Sequence, residues 1–172
     1  MEWNDIYDEN RNPTGRVHQR GTPWASGDFG LAVCVWVYDG QGHLLLTRRS
    51  KGKSYAGTWE NSGGAAKAGE TSREAMAREL YEETGIKAAP EEFEFLDTDW
   101  DRNMFYDHYC LLRRLPAKAV QLQEGETDGV QWASFDQIHW MIRTGRICKI
   151  IGSQFFKLEK ELKKRNLNNT PL

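Results

Sequence analysis

The sequence predicts a mixed α/β fold, in which helices pack on a mixed β-sheet. The run over 31–38 is nearly continuous in apolar and β-branched residues, which is typical of a strand buried on both faces of a sheet. Thr71 and Glu74 form a capping-box pattern and Gly85 suits a left-handed helix end, so residues 72–84 are predicted to form a helix. Because strands and helices do not alternate regularly, a doubly wound parallel sheet is disfavoured.

Composition limits the kind of protein and its partners. With 172 residues, 39% of them hydrophobic, the chain can form a single domain with a substantial core. A formal net charge of −2 gives no sign of a nucleic-acid polymer as partner, so we expect a small-molecule substrate. The first residues lack the basic start and apolar core of a signal peptide, and the longest apolar run is too short to cross a bilayer. We therefore expect a soluble cytoplasmic protein with no membrane partner, and a homodimer remains an option.

The cysteines predict neither a disulfide framework nor a zinc site. Cys34, Cys110 and Cys148 are odd in number, far apart and without CxxC spacing, which is typical of reduced thiols in a cytosolic protein. Cys34 and Cys110 stand in apolar runs, where small buried side chains are expected.

The first half of the chain predicts strands and connectors. Residues 4–20 predict an N-terminal hairpin around a turn rich in Asn, Pro and Gly. After the strand at 31–38, a tight turn leads into a second strand at 43–49. A polar loop at 50–57 and a glycine-rich loop around Gly63 and Gly64 then lead into the predicted helix.

In the second half, two long strands are predicted at 91–99 and 103–115. A polar loop is predicted at 116–128, followed by a short strand at 130–133. Ser134 with Gln137 predicts a capped helix over 135–143. A final helix is predicted at 153–165, followed by a loose tail at 166–172.

Three carboxylates share one face of the predicted helix 72–84. At roughly 100° per residue, Glu79, Glu82 and Glu83 fall within an arc of about 100°. Like charges at these spacings destabilise a helix by roughly 0.2–0.5 kcal/mol per pair, so their shared face suggests a bound cation. Mg²⁺ prefers oxygen ligands and is commonly held by a few carboxylates with substrate phosphates. For an isolated Glu-x-x-Glu-Glu, a solvated charged surface would be the simpler interpretation.

The surrounding residues favour the metal site. From Gly64 to Ile86 the sequence is GAAKAGETSREAMARELYEETGI, which matches GX5EX7RELXEEXGI without a gap. This sequence resembles the Nudix superfamily at every fixed position of that motif. The resemblance implies an α/β/α sandwich with a mixed sheet over about residues 29–150, to which the N-terminal hairpin and the C-terminal helix are added. It also implies metal-dependent hydrolysis, with Mg²⁺ or Mn²⁺, of a diphosphate bond in a nucleoside diphosphate derivative or another organic diphosphate.

The same resemblance implies roles for named residues. The metal ligands would be three carboxylates and one carbonyl, from Glu79, Glu82, Glu83 and Gly63. Arg78, paired with Glu70, would orient those carboxylates. For the general base, Glu79 is the first choice, and Glu126, from the predicted polar loop, is the alternative.

Two other functions are consistent with parts of the sequence. The segments DENRNPTGR and LLLTRRSKGKSYAGTWENS resemble isopentenyl-diphosphate isomerase, a Nudix relative. Those isomerases use a cysteine directly after the Asn-Ser pair, where this chain has Gly63-Gly64, and a metal-binding histidine before the first long strand, where it has Phe29-Gly30-Leu31. Because the motif is complete, hydrolysis is the favoured function and isomerisation the runner-up. A catalytically silent binding module would be indicated by loss of a motif glutamate, and none is lost. Ser62, where a proline often precedes the glycines, is the one departure from the common pattern.

Overall fold

The computed structural model describes residues 1–168. Within them, the strands are β1 Trp3–Tyr7, β2 Pro13–Gln19, β3 Gly30–Tyr38, β4 His43–Arg49, β5 Trp59–Glu60, β6 Ser62–Ala65, β7 Glu94–Asp101, β8 Met104–Leu112 and β9 Thr127–Ser134. The helices are α1 Ser72–Thr84, α2 Phe135–Arg143 and α3 Lys149–Asn168.

Seven strands form one mixed sheet around β3. The strand order is β5-β4-β3-β8-β7, with β6 also paired to β3 and β9 to β4. β3 runs parallel to β8, from the pair Gly30–Met104 to the pair Tyr38–Leu112, and antiparallel to β4 and β6. The predicted mixed sheet and the central position of the strand at 31–38 are confirmed.

Alternating side chains of β3 enter two separate cores. Val33, Val35 and Val37 pack in one core with residues of α1, whereas Trp36 and Tyr38 pack in the other with residues of α2 and α3. Successive strand residues point to opposite faces, so a strand covered on both sides must be apolar throughout. The sheet is therefore covered by helices on both faces, which confirms the α/β/α sandwich.

The predicted N-terminal hairpin is also present, as a separate two-stranded sheet of β1 and β2. It joins the core through the backbone of Tyr7 and Phe29, whose N–H groups each donate to the other's carbonyl at 2.8 and 2.9 Å. Arg11, at the hairpin turn, has a left-handed backbone with φ of 64°. Its guanidinium donates to Thr98 at 2.8 Å and forms an ion pair with the buried Asp107.

Several element boundaries differ from the prediction. The predicted strand at 91–99 begins at Glu94, because Pro90–Glu92 form one turn of 3-10 helix, and it extends to Asp101. β8 ends at Leu112, three residues before the predicted end at 115. β9 begins at Thr127, within the predicted polar loop, because Thr127 continues the pairing with Arg49 of β4.

The C-terminal helix is longer than predicted. α3 begins at Lys149, ahead of the predicted start at 153, and includes Gly152. A Cβ at Gly152 would lie 3.2 Å from the Ile142 side chain, so the glycine allows α3 to pack closely on α2. The predicted loose tail at 166–172 is helical as far as Asn168, and its last four residues lie outside the described residues.

None of the helices within residues 1–168 has the length and hydropathy needed to cross a membrane. All three cysteines are free, and Cys34 and Cys110 are buried as expected.

Candidate active site

Helix α1 has the predicted ends and the predicted buried side. The Thr71 hydroxyl accepts from the Glu74 N–H at 3.3 Å, and the Glu74 carboxylate accepts from the Thr71 N–H at 2.8 Å. Gly85 ends the helix with a left-handed φ of 69°. Met76 and Leu80 are fully buried toward the sheet. Because these local contacts fix the rotation of α1, they also fix the direction of its carboxylate face.

Gly63 and Gly64 lie in strand β6, and not in the irregular loop that the sequence predicted. They pair with Cys34 and Val33 of β3. A Cβ at Gly64 would lie 2.4 Å from the Glu79 carboxyl carbon, and a Cβ at Gly63 would lie 2.3 Å from the Val33 carbonyl oxygen. Both glycines are therefore required by close approach: Gly63 to the neighbouring strand, and Gly64 to the carboxylate of Glu79.

The backbone groups of Gly63 face away from β3. The Ala66 N–H donates to the Leu31 carbonyl at 2.9 Å, and hydrogen-bonded pairs alternate along an antiparallel ladder. Residues 63 and 65 consequently point their N–H and C=O groups to the opposite side. The Ala65 carbonyl on that side accepts from Arg78 Nη2 at 3.1 Å. The Gly63 carbonyl is thus directed away from β3 on the same edge.

Arg78 holds the acidic residues of the motif together. Its Nε and Nη2 donate to the two oxygens of Glu70 at 2.6 and 2.9 Å. Its Nη1 donates to Glu79 at 2.8 Å and to Glu82 at 3.2 Å. The predicted pairing of Arg78 with Glu70 is present, and the guanidinium also reaches two of the three carboxylates on the shared face.

Glu83 is the member of that face with a buried carboxylate oxygen. Its Oε2 is inaccessible to solvent and has no hydrogen-bond partner among the described residues. Burial, together with the nearby carboxylates of Glu60 and Glu79, raises the pKa of Glu83 to about 8, against the opposing effect of the Ser62 side chain and the Gly63 N–H. Burial also raises the pKa of Glu79, although Arg78 opposes that shift. The three carboxylates therefore share a face but differ in environment, since Glu82 is the more exposed, at 39% of its side chain.

Glu60, on β5, is a member of this acidic group that the sequence analysis did not identify. Its carboxylate accepts from Arg49 Nη1 at 2.7 and 2.9 Å. Burial nonetheless raises the pKa of Glu60, and the charge of Glu126 raises it as well. The available signal was an acidic residue three positions before Gly63, but its pairing with β4 depends on the fold.

Glu126 lies at the margin of the acidic group. Its carboxylate forms an ion pair with Lys53, and its carbonyl accepts from the Ser50 N–H at 2.9 Å. Its charge acts on the acidic group by raising the pKa of Glu60. The structure brings Glu79, Glu82, Glu83 and Gly63 to one place with Arg78 and Glu70, and keeps Glu126 in a separate loop contact.

The N-terminal hairpin holds the segment between β6 and α1. The Asn4 amide donates to the Ala66 carbonyl at 2.6 Å, and the Asp5 carboxylate accepts from the Gly69 N–H at 2.8 Å. Glu70 itself accepts from the Lys67 N–H at 2.8 Å. The hairpin therefore helps to fix the segment that carries the partner of Arg78.

The donor set fits a hard divalent cation. Carboxylate and carbonyl oxygens are the ligands that Mg²⁺ and Mn²⁺ take in proteins. The unpartnered Oε2 of Glu83 is a buried polar atom that a cation would satisfy. In this conformation, no three Asp, Glu, His or Cys side chains among residues 1–168 are grouped closely enough to enclose a metal ion. Metal binding would therefore draw the carboxylates of Glu79, Glu82 and Glu83 closer together.

Comparison with known proteins identifies the family. A family model described as "NUDIX domain" matches residues 28–148. An uncharacterized Nudix hydrolase of Listeria innocua is 29% identical over 161 residues, covering 92% of this chain and 95% of that protein. A match to an uncharacterized Nudix hydrolase of Listeria monocytogenes is 40% identical but spans only about half of each, 49% of this chain and 51% of the relative.

An isomerase and a solved structure are also similar. Isopentenyl-diphosphate Delta-isomerase of Shigella flexneri is 28% identical over 169 residues, covering 86% of this chain and 92% of that enzyme. The crystal structure of DR0079 from Deinococcus radiodurans matches with a TM-score of 0.69 at 22% identity, over 84% of this chain and 90% of that one. With the family match spanning most of the chain and the α1 motif complete, the chain is a member of the Nudix hydrolase family.

Proposed function

We propose that this chain hydrolyses a diphosphate bond in a nucleoside diphosphate derivative or another organic diphosphate, with Mg²⁺ or Mn²⁺ as cofactor. Glu79, Glu82, Glu83 and the Gly63 carbonyl would hold the cation. The observation that carries the proposal is the buried, unpartnered Oε2 of Glu83, which lies on the same helix face as Glu79 and against the glycine strand. A buried carboxylate of this kind is costly unless a cation compensates it.

The cation, Arg78 and the glycines of β6 would have different roles in the reaction. A bound divalent cation neutralises phosphate oxygens and lowers the pKa of bound water. Arg78 keeps Glu70 as its partner and orients Glu79, so that the carboxylates converge at the edge of β6. The absent Cβ of Gly64 lets the Glu79 carboxylate approach the strand, next to the Gly63 carbonyl.

We assign the general base to Glu79, which would accept a proton from the attacking water. Its pKa is raised by burial, which moves a carboxylate toward the range useful for accepting a proton near neutral pH. Glu126 is the alternative base. Its ion pair with Lys53 would have to break before its carboxylate could reach a water at the α1 face.

A screen of organic diphosphates tests the activity. The parent would be incubated with Mg²⁺ and each of a set of nucleotide sugars, dinucleotides and isoprenyl diphosphates. Product phosphate would be measured after phosphatase treatment for the first two classes, and directly, without phosphatase, for the isoprenyl diphosphates. Metal-dependent hydrolysis of at least one compound is expected, with loss of that activity in Glu83→Gln. No hydrolysis of any compound with Mg²⁺ or Mn²⁺ would exclude the proposed reaction.

A second candidate function, isomerisation of isopentenyl diphosphate by protonation and deprotonation, is favoured by one observation. Cys34 on β3 is paired in register with Gly63, next to the place where the isomerases carry their cysteine. A thiol is therefore close to that position from a different strand. Incubation with isopentenyl diphosphate and metal tests this candidate, and formation of dimethylallyl diphosphate at an enzymatic rate would establish it.

The predicted single domain, cytoplasmic location and homodimer stay predictions. A small-molecule substrate suits the acidic site, because Glu79 and Glu83 lie against β6.

A further inference from the structure

A cavity of about 180 Å³ lies beside the candidate active site, between β3, β6 and the first turns of α3. Its wall includes Glu60, Gly63 and Gly64, which adjoin the α1 carboxylates, as well as Cys34, Asn61 and Gln154. Because the Glu79 carboxylate fills the space of the missing Gly64 Cβ, the cavity and the carboxylate face meet at β6. A diphosphate held by the carboxylates would place its organic group next to this cavity.

Two buried amide oxygens in the cavity wall lack partners. Asn61 is 4% exposed; its amide N–H faces the Cys34 thiol, and its Oδ1 has no hydrogen-bond partner within residues 1–168. Gln154, from α3, is 8% exposed, and its Oε1 is likewise without a partner there. A buried polar group left unsatisfied costs roughly 1–3 kcal/mol, so a ligand that displaces water from this cavity must replace those hydrogen bonds.

The wall also carries a thiol and a carboxylate. The Cys34 sulfur lies 3.1 Å from His108 Nδ1, behind the wall, and His108 Nε2 lies 3.1 Å from the Asp99 carboxylate. Burial raises the pKa of Cys34 to about 12 and lowers the pKa of His108, so both are uncharged at neutral pH. Glu60, which adjoins the α1 carboxylates, forms an ion pair with Arg49. Among the described residues, the cavity wall thus offers amide groups but no cationic side chain to attract a second anion.

We propose that Asn61 and Gln154 bind the organic group of the diphosphate substrate, and that this group carries neighbouring hydrogen-bond donors and acceptors, as a nucleobase or a nicotinamide carboxamide does. This inference rests on the proposed function, because the carboxylates place the substrate. A cavity of about 150 Å³ accommodates benzene, so one planar ring of similar size fits here. An isoprenyl group would leave both amide oxygens without partners and is disfavoured.

The cavity opens toward an aromatic surface that can take the rest of the ligand. An adjoining cleft of about 310 Å³ shares Tyr106 and Ile150 with the first cavity and also includes Trp24 and Tyr55. Aromatic faces stack on planar rings, whereas the amides select by hydrogen bonding. Specificity is therefore assigned to Asn61 and Gln154.

Equilibrium binding tests the inference without turnover. AMP, GMP, CMP, UMP and nicotinamide mononucleotide would be titrated calorimetrically with Mg²⁺ present, against ribose 5-phosphate, which has the sugar and phosphate but no ring with an amide edge. At least one nucleotide should bind the parent about tenfold or more tightly than ribose 5-phosphate. No such preference for any of the five nucleotides would overturn the proposal.

Variants localise the preference. Gln154→Met keeps the side-chain length and should weaken binding of the preferred nucleotide by about tenfold, while the affinity for ribose 5-phosphate stays unchanged. Asn61→Leu should also weaken binding of that nucleotide. If Asn61→Leu does not fold, Gln154→Met alone is sufficient for the test. Gln41→Met, at an exposed glutamine in the β3–β4 turn, is the matched control and should bind like the parent. Unchanged nucleotide affinity in Gln154→Met would refute the assignment.

Turnover separates this inference from the proposed function. If hydrolysis occurs, Gln154→Met should raise KM for the nucleotide substrate and leave kcat unchanged, as expected for a contact made equally in ground and transition states. Nucleotide binding that depends on Gln154 without any hydrolysis would support the proposed binding site and contradict the proposed hydrolysis. If nucleotides are hydrolysed and neither KM nor affinity changes when Asn61 or Gln154 is substituted, the hydrolysis is supported and the proposed binding site is contradicted.

Discussion

In the metal-free protein, Glu83→Gln should stabilise the fold increasingly as the pH rises. Burial raises the pKa of Glu83 from 4.5 to about 8. Because the folded state then holds its proton more tightly than the unfolded state does, the parent loses stability as the pH rises from about 4.5 to about 8. Glutamine does not titrate, so the stability of the variant does not fall for this reason as the pH rises.

The size of the effect follows from the shift. One pKa unit corresponds to about 1.36 kcal/mol, so the full shift is worth about 5 kcal/mol, of which about 3 kcal/mol falls between pH 5.5 and pH 8.5. Urea unfolding in the presence of EDTA, at several pH values across that range, measures it. The difference in unfolding free energy, variant minus parent, should rise by about 3 kcal/mol.

Glu82→Gln is the matched control on the same helix face. The Glu82 side chain is 39% exposed, so this variant removes a carboxylate from the face without removing a buried one. A difference between Glu83→Gln and parent that stays flat from pH 5.5 to pH 8.5 would refute the burial of the Glu83 carboxylate in the metal-free protein.

Three further substitutions test the site and the elements that hold it. Glu79→Gln should lower kcat by roughly 10²–10⁴-fold with little change in Tm, and a folded variant with near-parental kcat would transfer the role of base to Glu126. Gly64→Ala places a Cβ within 2.5 Å of the Glu79 carboxylate oxygens, so kcat should fall while circular dichroism shows a folded protein. Asp107→Ala removes the acceptor of Arg11, and urea unfolding should show a loss of about 1–3 kcal/mol, whereas an unchanged midpoint would contradict the part-buried ion pair.

Helix α1 could be predicted from the sequence because its signals are local. Thr71, Glu74 and Gly85 determine its ends through contacts within a few residues of the chain. The spacing of Met76 and Leu80 then determines its buried side. Once the helix and its rotation are known, the shared face of the three carboxylates follows, and the order of residues in the motif identifies the family.

The surroundings of α1 could not be predicted, because they depend on contacts between distant parts of the chain. Two consecutive glycines favour a loop on local grounds, yet Gly63 and Gly64 form a strand because β3 supplies the partners and the space. The raised pKa of Glu83 depends in part on the charge of Glu60, which β5 brings to the site. The sequence shows three similar carboxylates, but the fold gives them different exposures.

The hairpin and α3 show the same limit. Their existence was predicted from turn residues and from helical periodicity, but not what they contact. Asn4 and Asp5 reach the segment before α1 across more than 60 positions of sequence. Gln154 was predicted to be helical, but its place in the cavity wall follows from the packing of α3 on the sheet, which the sequence does not show.

The most direct test of the metal-dependent site is a calorimetric titration of the protein with Mn²⁺ and Mg²⁺ at pH 8, comparing the parent with Glu82→Gln and Glu83→Gln. Circular dichroism would confirm that each variant is folded, and Gln41→Met would serve as a control outside the site. Binding by the parent that weakens at least about tenfold in both glutamate variants is expected, because each removes a charged oxygen ligand. Equal metal affinity in the parent and both variants would contradict a cation site on α1.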